Sequence, residues 1–422
     1  MNYSEFSVEQ LEERRSVLQE SYARIKDARL NLDLTRGKPS TEQLDLSNKL
    51  DGILQGFFLL QDGTDVRNYG GILGIPEARQ LGAEFLSLSP SEVLAGGNSS
   101  LTLMYNMIAH MMRAWDQESR QLNSKVKFLC PVPGYDRHFT ICEHFDIEMI
   151  NIDFGPEGPD LGTIEVMLER DPMIKGIWCV PMYSNPTGHT YSTTTVKRFA
   201  QLGKIAGANF RIMWDNAYAV HHLTDAPDEL HNLMEEAKAA GTQDTVVMFA
   251  STSKVTFAGA GIAFLGTTPA NLEAFEKFLA HQVIGFDKVN QLRHVQFLKD
   301  ASNLAAHMAK HRILLNPKFD LVQKKLDAGV GDKGIATWTK PNGGYFVSLD
   351  TMPGIANEVV QLAADAGVKL TPAGATYPYG LDPDNKNIRI APTFASLDDL
   401  EQALTVFIVC LELTSINKLL SR

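Results

Sequence analysis

Between about Glu92 and Leu265 the chain alternates short, almost uninterrupted apolar runs with stretches of helical periodicity. The runs fall at 126–129, 147–152, 174–180, 210–214, 246–250 and 262–265, and helical patterns lie between several of them, for example at 193–206 and 228–239. Strands that are apolar on both faces and spaced by helices predict an α/β fold with a mostly parallel central sheet covered by helices on both sides. After Pro269 the pattern turns helical to about Leu326. Strands at 337–340, 345–349 and 387–390 then alternate with helices near 355–366 and 397–413, which predicts a smaller α+β domain. At the other end, Ser7-Val8-Glu9-Gln10 reads as a capping box that opens a helix to about Arg29. Its Leu11, Leu18 and Ile25 recur every seven residues, so they share a face that needs a partner surface. An arm and an element of the small domain are both open readings. Leu32 to Ser47 is an extended connector, and the expected division is 1–48, 49–300 and 301–422.

Composition changes this picture little. A chain of 422 residues is too long for one compact core, which agrees with two domains. The net charge of −11, with basic residues spread along the chain, argues against a nucleic-acid or membrane-surface partner. The apolar tail near 403–411 is short of the ~20 residues a spanning helix needs. No secretory signal is visible at the start, and four cysteines without CxxC spacing read as reduced thiols, so a cytoplasmic location is expected. No ligand cluster has metal spacing.

Four polar clusters sit just after apolar runs, where open α/β sheets bind ligands. Gly96-Gly97-Asn98-Ser99-Ser100 precedes a helical pattern and could cradle an anion, although a tight turn with an N-cap has the same look. Ser184-Asn185-Pro186-Thr187-Gly188 is a turn in which Asn185 could offer its amide. Asp215-Asn216-Ala217-Tyr218 ends a buried strand on a carboxylate, which is costly unless it meets a cation. In Ser251-Thr252-Ser253-Lys254, a lysine near the inner end of a strand can become a nucleophile toward carbonyls when burial lowers its pKa. Together these groups meet the needs of pyridoxal 5′-phosphate: a lysine for its aldehyde, a carboxylate for its ring nitrogen, an aromatic face and an anion cradle.

With Tyr135 and Arg389 added in order, the chain resembles the fold type I pyridoxal phosphate-dependent aminotransferases of class I/II. The wording TSKVTFAGAG resembles the divergent bacterial aspartate aminotransferase branch, subgroup Ic. The resemblance implies a Schiff base between Lys254 and the cofactor, with Lys254 then serving as general base and acid. It implies Asp215 on the pyridine nitrogen, Asn185 and Tyr218 on the phenolic oxygen, and Tyr135 stacked on the ring. Gly97, Asn98, Ser99 and Ser251 would hold the phosphate, with Ser253 a further contact and Tyr69 reaching the phosphate of a neighbouring subunit in a homodimer. Arg389 would clamp the substrate α-carboxylate, and Gly37 would line the pocket. The implied reaction moves an amino group between L-aspartate and 2-oxoglutarate by a ping-pong mechanism. Arg36, Lys38 and Arg137 are candidate cations for the second carboxylate.

One feature departs from the family. Its usual phosphate-binding arginine, eight residues after the lysine, is Ile262 here. Hydroxyls, backbone amides and Tyr69 are expected to carry more of that load, with Arg67 or Lys38 as replacement cations. Two other functions stay open at this point. One is a lyase or decarboxylase with the same cofactor; the other is an aminotransferase-like regulator, for which the roughly 30 residues before the fold leave little room.

Overall fold

A computed structural model describes residues 2–421. The thirteen strands are β1 (Leu32–Leu34), β2 (Val93–Ala95), β3 (Lys127–Val132), β4 (Glu148–Gly155), β5 (Gly158–Pro159), β6 (Ile174–Cys179), β7 (Arg211–Asp215), β8 (Val246–Ser251), β9 (Ala263–Gly266), β10 (Ala336–Trp338), β11 (Val347–Thr351), β12 (Val368–Leu370) and β13 (Asn387–Ile390). Eight of them form one sheet in the order β2-β9-β8-β7-β6-β3-β4-β5. The strands β8, β7, β6, β3 and β4 run parallel, while β9 is antiparallel to both of its neighbours. The apolar run at 262–265 therefore turns back along β8 instead of extending the parallel set.

Alternate residues feed the two faces of this sheet. Ile212 and Trp214 of β7 enter one apolar core and Met213 the other, and β8 divides Val246 and Met248 from Val247 and Phe249 in the same way. Both faces are covered, which is why these strands read as unbroken apolar runs.

A third core belongs to the small sheet β10-β11-β13, the parallel pair β1-β12 and the helices around them. The helix Val8–Asp27 begins with the expected capping box and buries Leu11 and Leu18 in this core, with Ile25 packed at its edge. Its partner surface is thus the chain's own small domain. Glu412 fixes the arrangement, since it is buried and pairs with Arg14 and Lys333, each at 2.8 Å, and accepts from Tyr3. The helix Ala301–Val330 joins the cores: Leu304 and Met308 lie in the first, and Leu315, Phe319 and Val322 in the small-domain core.

Several elements differ from expectation. The closing helix runs Leu397–Leu420, and by length and composition it could cross a bilayer; two thirds of its apolar window is buried in the small domain. The pattern at 228–239 forms a helix only over Leu233–Ala240, because Asp228 is held in a loop by Thr190 and Asn342 and Asn232 caps the helix. The pattern at 193–206 breaks after Phe199 into a short 3-10 turn.

Candidate active site

Tyr135, Asn185, Asp215 and Ser251-Lys254 all follow or close the carboxyl ends of β3, β6, β7 and β8, which are adjacent in the sheet. The parallel register places these ends on one edge, where such folds bind ligands.

Asp215 is almost fully buried. Its Oδ2 accepts from His138 Nε2 at 3.0 Å, and its Oδ1 is buried without a hydrogen-bond partner among the described residues. An ionised carboxylate only accepts, so His138 carries the proton on Nε2. The imidazole is stacked on Trp178, with centroids 4.3 Å apart and planes 8° from parallel, and it meets Tyr135 edge-on at 4.9 Å. One carboxylate oxygen is thus oriented by histidine, and the other is left for a cationic donor. An unpartnered buried carboxylate oxygen is costly, so a donor is expected there.

Lys254 Nζ lies 5.0 Å from the Tyr218 ring centre and 5.8 Å from that of Tyr345. Burial pulls its pKa below the usual lysine value, against the opposing pull of the Asp215 charge. Burial, and then the neighbouring Tyr135 and Asp215, push the Tyr218 phenol well up, so it stays protonated and able to donate. Behind the lysine, the Val255 carbonyl accepts from His307 Nε2 at 2.7 Å and His311 Nε2 at 3.0 Å. Gln43 Nε2 links His311 Nδ1 to the Tyr345 hydroxyl.

The residues expected to hold an anion also converge. Asn98 Nδ2 donates to the Gly259 carbonyl at 2.9 Å, and Ser253 Oγ to the Asn98 carbonyl at 3.3 Å. Ser251 Oγ accepts from the Ser253 amide. Ser99 is the N-cap of the helix Ser100–Leu122 and makes no side-chain cap hydrogen bond, which leaves its hydroxyl and the helix N-terminus available to an anion. The departure at Ile262 has a local explanation. The Ile262 amide donates to Thr252 Oγ1 and its carbonyl accepts from the Thr252 amide, both at 2.8 Å, which closes the loop. The side chain then enters the large core. Gly261 lets this happen, since a Cβ there would stand 2.8 Å from Thr252 Oγ1.

Among the described residues of this chain, the proposed replacement cations have other partners. Arg67 forms a forked pair with its neighbour Asp65, at 2.5 Å for Nη2 to Oδ2, and Lys38 Nζ rests 3.9 Å over the Phe394 ring. Tyr69 is 84% exposed and makes no contact with the cradle of its own chain among the described residues. Its carbonyl and that of Gly70 accept from the buried Lys288.

Arg389 lies on β13, nearly buried, and stacks on Phe346 with 4.8 Å to the ring centre. Gly37 backs this ring: a Cβ there would come within 2.4 Å of Phe346 Cζ. Arg389 Nη1 donates to Asn185 Oδ1 and to Asp136 Oδ1, both at 3.2 Å. Asn185 thus turns its oxygen to Arg389 and keeps its amide hydrogens for another partner. Arg36, Lys38 and Arg137 are all exposed.

Sequence reasoning missed His138, Trp178, Asp136, Phe346 and Tyr345. The signal for two of them was at hand, since Asp136 and His138 stand beside Tyr135 on the first turn of the helix Asp136–His144.

The residues fit pyridoxal phosphate: a partnerless carboxylate oxygen for a ring N–H, a desolvated lysine, a phenol that donates, and amides and hydroxyls at a helix N-terminus. Comparison with known proteins agrees. A family described as aspartate amino-transferase matches residues 6–422. A protein of Mycolicibacterium smegmatis named as an aminotransferase is 47% identical over 431 residues, covering 100% of this chain and 99% of its own. The aspartate aminotransferase of Corynebacterium glutamicum is 43% identical over 402 residues, covering 94% of this chain and 93% of its own. A crystal structure of an aspartate transaminase from that organism is 41% identical, with a TM-score of 0.95 over 99% of each chain. This chain therefore belongs to the aspartate aminotransferase family of pyridoxal phosphate-dependent, fold type I transaminases.

Proposed function

We propose that this chain binds pyridoxal 5′-phosphate at the site described and moves the amino group of L-aspartate to 2-oxoglutarate in a ping-pong cycle. The observation that carries the cofactor reading is the buried, unpartnered Asp215 Oδ1 beside the desolvated Lys254. When bound, the cofactor supplies an electron-withdrawing ring that stabilises charge developing at the substrate α-carbon. Lys254 Nζ would take the proton from that carbon, and the burial that lowers its pKa favours the free amine needed for this. Asp215, held by His138, keeps a positive charge on the group it faces. The Tyr218 hydroxyl and Asn185 amide donate, and Tyr135 covers a ring face. Arg389 holds the α-carboxylate, which favours transamination over a reaction in which that carboxylate departs.

The aspartate reading is supported by the named activity of the Corynebacterium glutamicum relative. A homodimer is supported by the exposed Phe57, Leu59, Tyr69 and Ile284, with Gly285 packed on Gly70 so that the last two lie close together. Tyr69 would then reach the partner's anion cradle. We also propose a cytoplasmic location and a domain division at 48 and 300.

The first test is the visible spectrum of the purified protein. A band that converts on adding L-aspartate and returns on adding 2-oxoglutarate supports cofactor and both substrates. A band that ignores aspartate rejects that donor, and ammonia or carbon dioxide in place of an oxo acid rejects transamination.

A further inference from the structure

We propose that Asp136 is an internal competitor for Arg389, so that a substrate carboxylate binds by exchange with it. This rests on the reading of Arg389 as the carboxylate clamp. Arg389 Nη1 has two N–H bonds, and its two acceptors are Asn185 Oδ1 and Asp136 Oδ1, each at 3.2 Å. Among the described residues, Nε is sealed from solvent without a partner and Nη2 has only a 3.5 Å contact to Thr371 Oγ1. An incoming carboxylate therefore meets the guanidinium at its terminal nitrogens. Bidentate binding there needs one N–H from each, so one of the two Nη1 acceptors must give way.

Asp136 is the one that yields. It carries the same charge as the incoming group, so both cannot crowd one nitrogen without repulsion. Its side chain is 30% exposed, while Asn185 is 3% exposed and neutral. The displaced carboxylate also has somewhere to go. Asp136 Oδ2 lies 3.8 Å from the exposed Arg137 Nε, and the residue sits in the first turn of the helix Asp136–His144, where the helix dipole favours a negative charge. The exchange keeps the nearly buried Arg389 paired at every stage, and avoids a lone buried cation. Its consequence is weaker binding and faster release of every carboxylate ligand at this position.

The test uses the cofactor-loaded enzyme and maleate, a dicarboxylate without an amine, titrated by calorimetry. Asp136→Asn removes the charge and keeps the shape. It is expected to bind maleate roughly three- to tenfold more tightly than the wild type, and to lower KM for the amino donor by a similar factor without a matching loss of kcat. Asp136→Glu, which restores the charge, should return binding toward the wild-type value. Equal or weaker maleate binding by Asp136→Asn would overturn the proposal and make Asp136 a simple orienting partner. If the Asn variant fails to fold, Asp136→Ser replaces it with the same two outcomes. Arg389→Ala serves as the separate control: wild-type maleate binding there would sink the clamp reading itself, whatever Asp136 does.

Discussion

Lys254 follows a strand of the large sheet and Arg389 lies on a strand of the small one, and their surroundings differ in each respect that governs charge. The Tyr218 and Tyr345 rings lie beside the lysine, and among the described residues no carboxylate pairs with its Nζ. Arg389 is the less exposed of the two, yet it has a carboxylate, an amide oxygen and a ring face. Burial lowers the lysine pKa and outweighs the opposing charge of Asp215, whereas guanidinium keeps its charge in any protein setting and is stabilised in place by partners. The contrast matches the two tasks. One cation has to give up its proton near neutral pH, and the other has to remain a fixed two-pronged donor.

Swapping the two chemistries is the harshest test of that contrast. Lys254→Arg retains charge and size but cannot lose its proton. It is expected to reduce transamination roughly 10⁴-fold, as Lys254→Ala would, measured as single-turnover conversion of aspartate. Activity within tenfold of wild type would break the comparison. The reverse swap, Arg389→Lys, keeps a cation but not the fork. About a 10²-fold fall in kcat/KM is expected, mostly through KM. A fall carried wholly by kcat would mean that Arg389 acts at the reacting atoms instead of holding the carboxylate.

Smaller changes sharpen the picture. Gly37→Ala would push a methyl group into the Phe346 ring that backs Arg389. A KM increase of roughly three- to tenfold, with the cofactor spectrum unchanged, is expected from the lost stacking geometry. The least effect on turnover is expected from His311→Gln, behind the lysine. Burial, and then His307, lower the His311 pKa from the ordinary 6.5 to about 4. Between those values the unfolded chain binds a proton that the folded one does not, so stability falls as pH falls through that window. The glutamine variant should lose less stability between pH 7 and about pH 4.5, by about 2 kcal/mol, read from denaturant melts at both pH values. An identical loss in both proteins would show that the imidazole is not held neutral.

The legibility of this site was uneven for physical reasons. Lys254, Asp215, Asn185 and Tyr135 stand next to buried strands, and a polar residue at the end of an apolar run is conspicuous. Buried strand pairs such as β7 and β8 were likewise visible as runs, because both faces of the sheet are covered. Short strands such as β2 and the pair β1-β12 were not, because three residues carry no period. The absence at Ile262 was read as a lost cation, yet in the fold this residue closes a loop and fills the core. No local pattern distinguishes an isoleucine that replaces a ligand from one that packs.

The amino-acid sequence was enough for the longer strands and helices and for the set of groups that suit one cofactor. Those follow from backbone periodicity and from the cost of placing polar side chains beside buried strands, and both are local. Which partners those groups have came from the folded chain. His138 orients Asp215 from 77 positions away, and Asp136 reaches Arg389 across 253. Such pairs depend on where the parallel strand ends are gathered and how the small domain packs against them. Which carboxylate oxygen stays free, and which arginine nitrogen is already taken, is set by that packing.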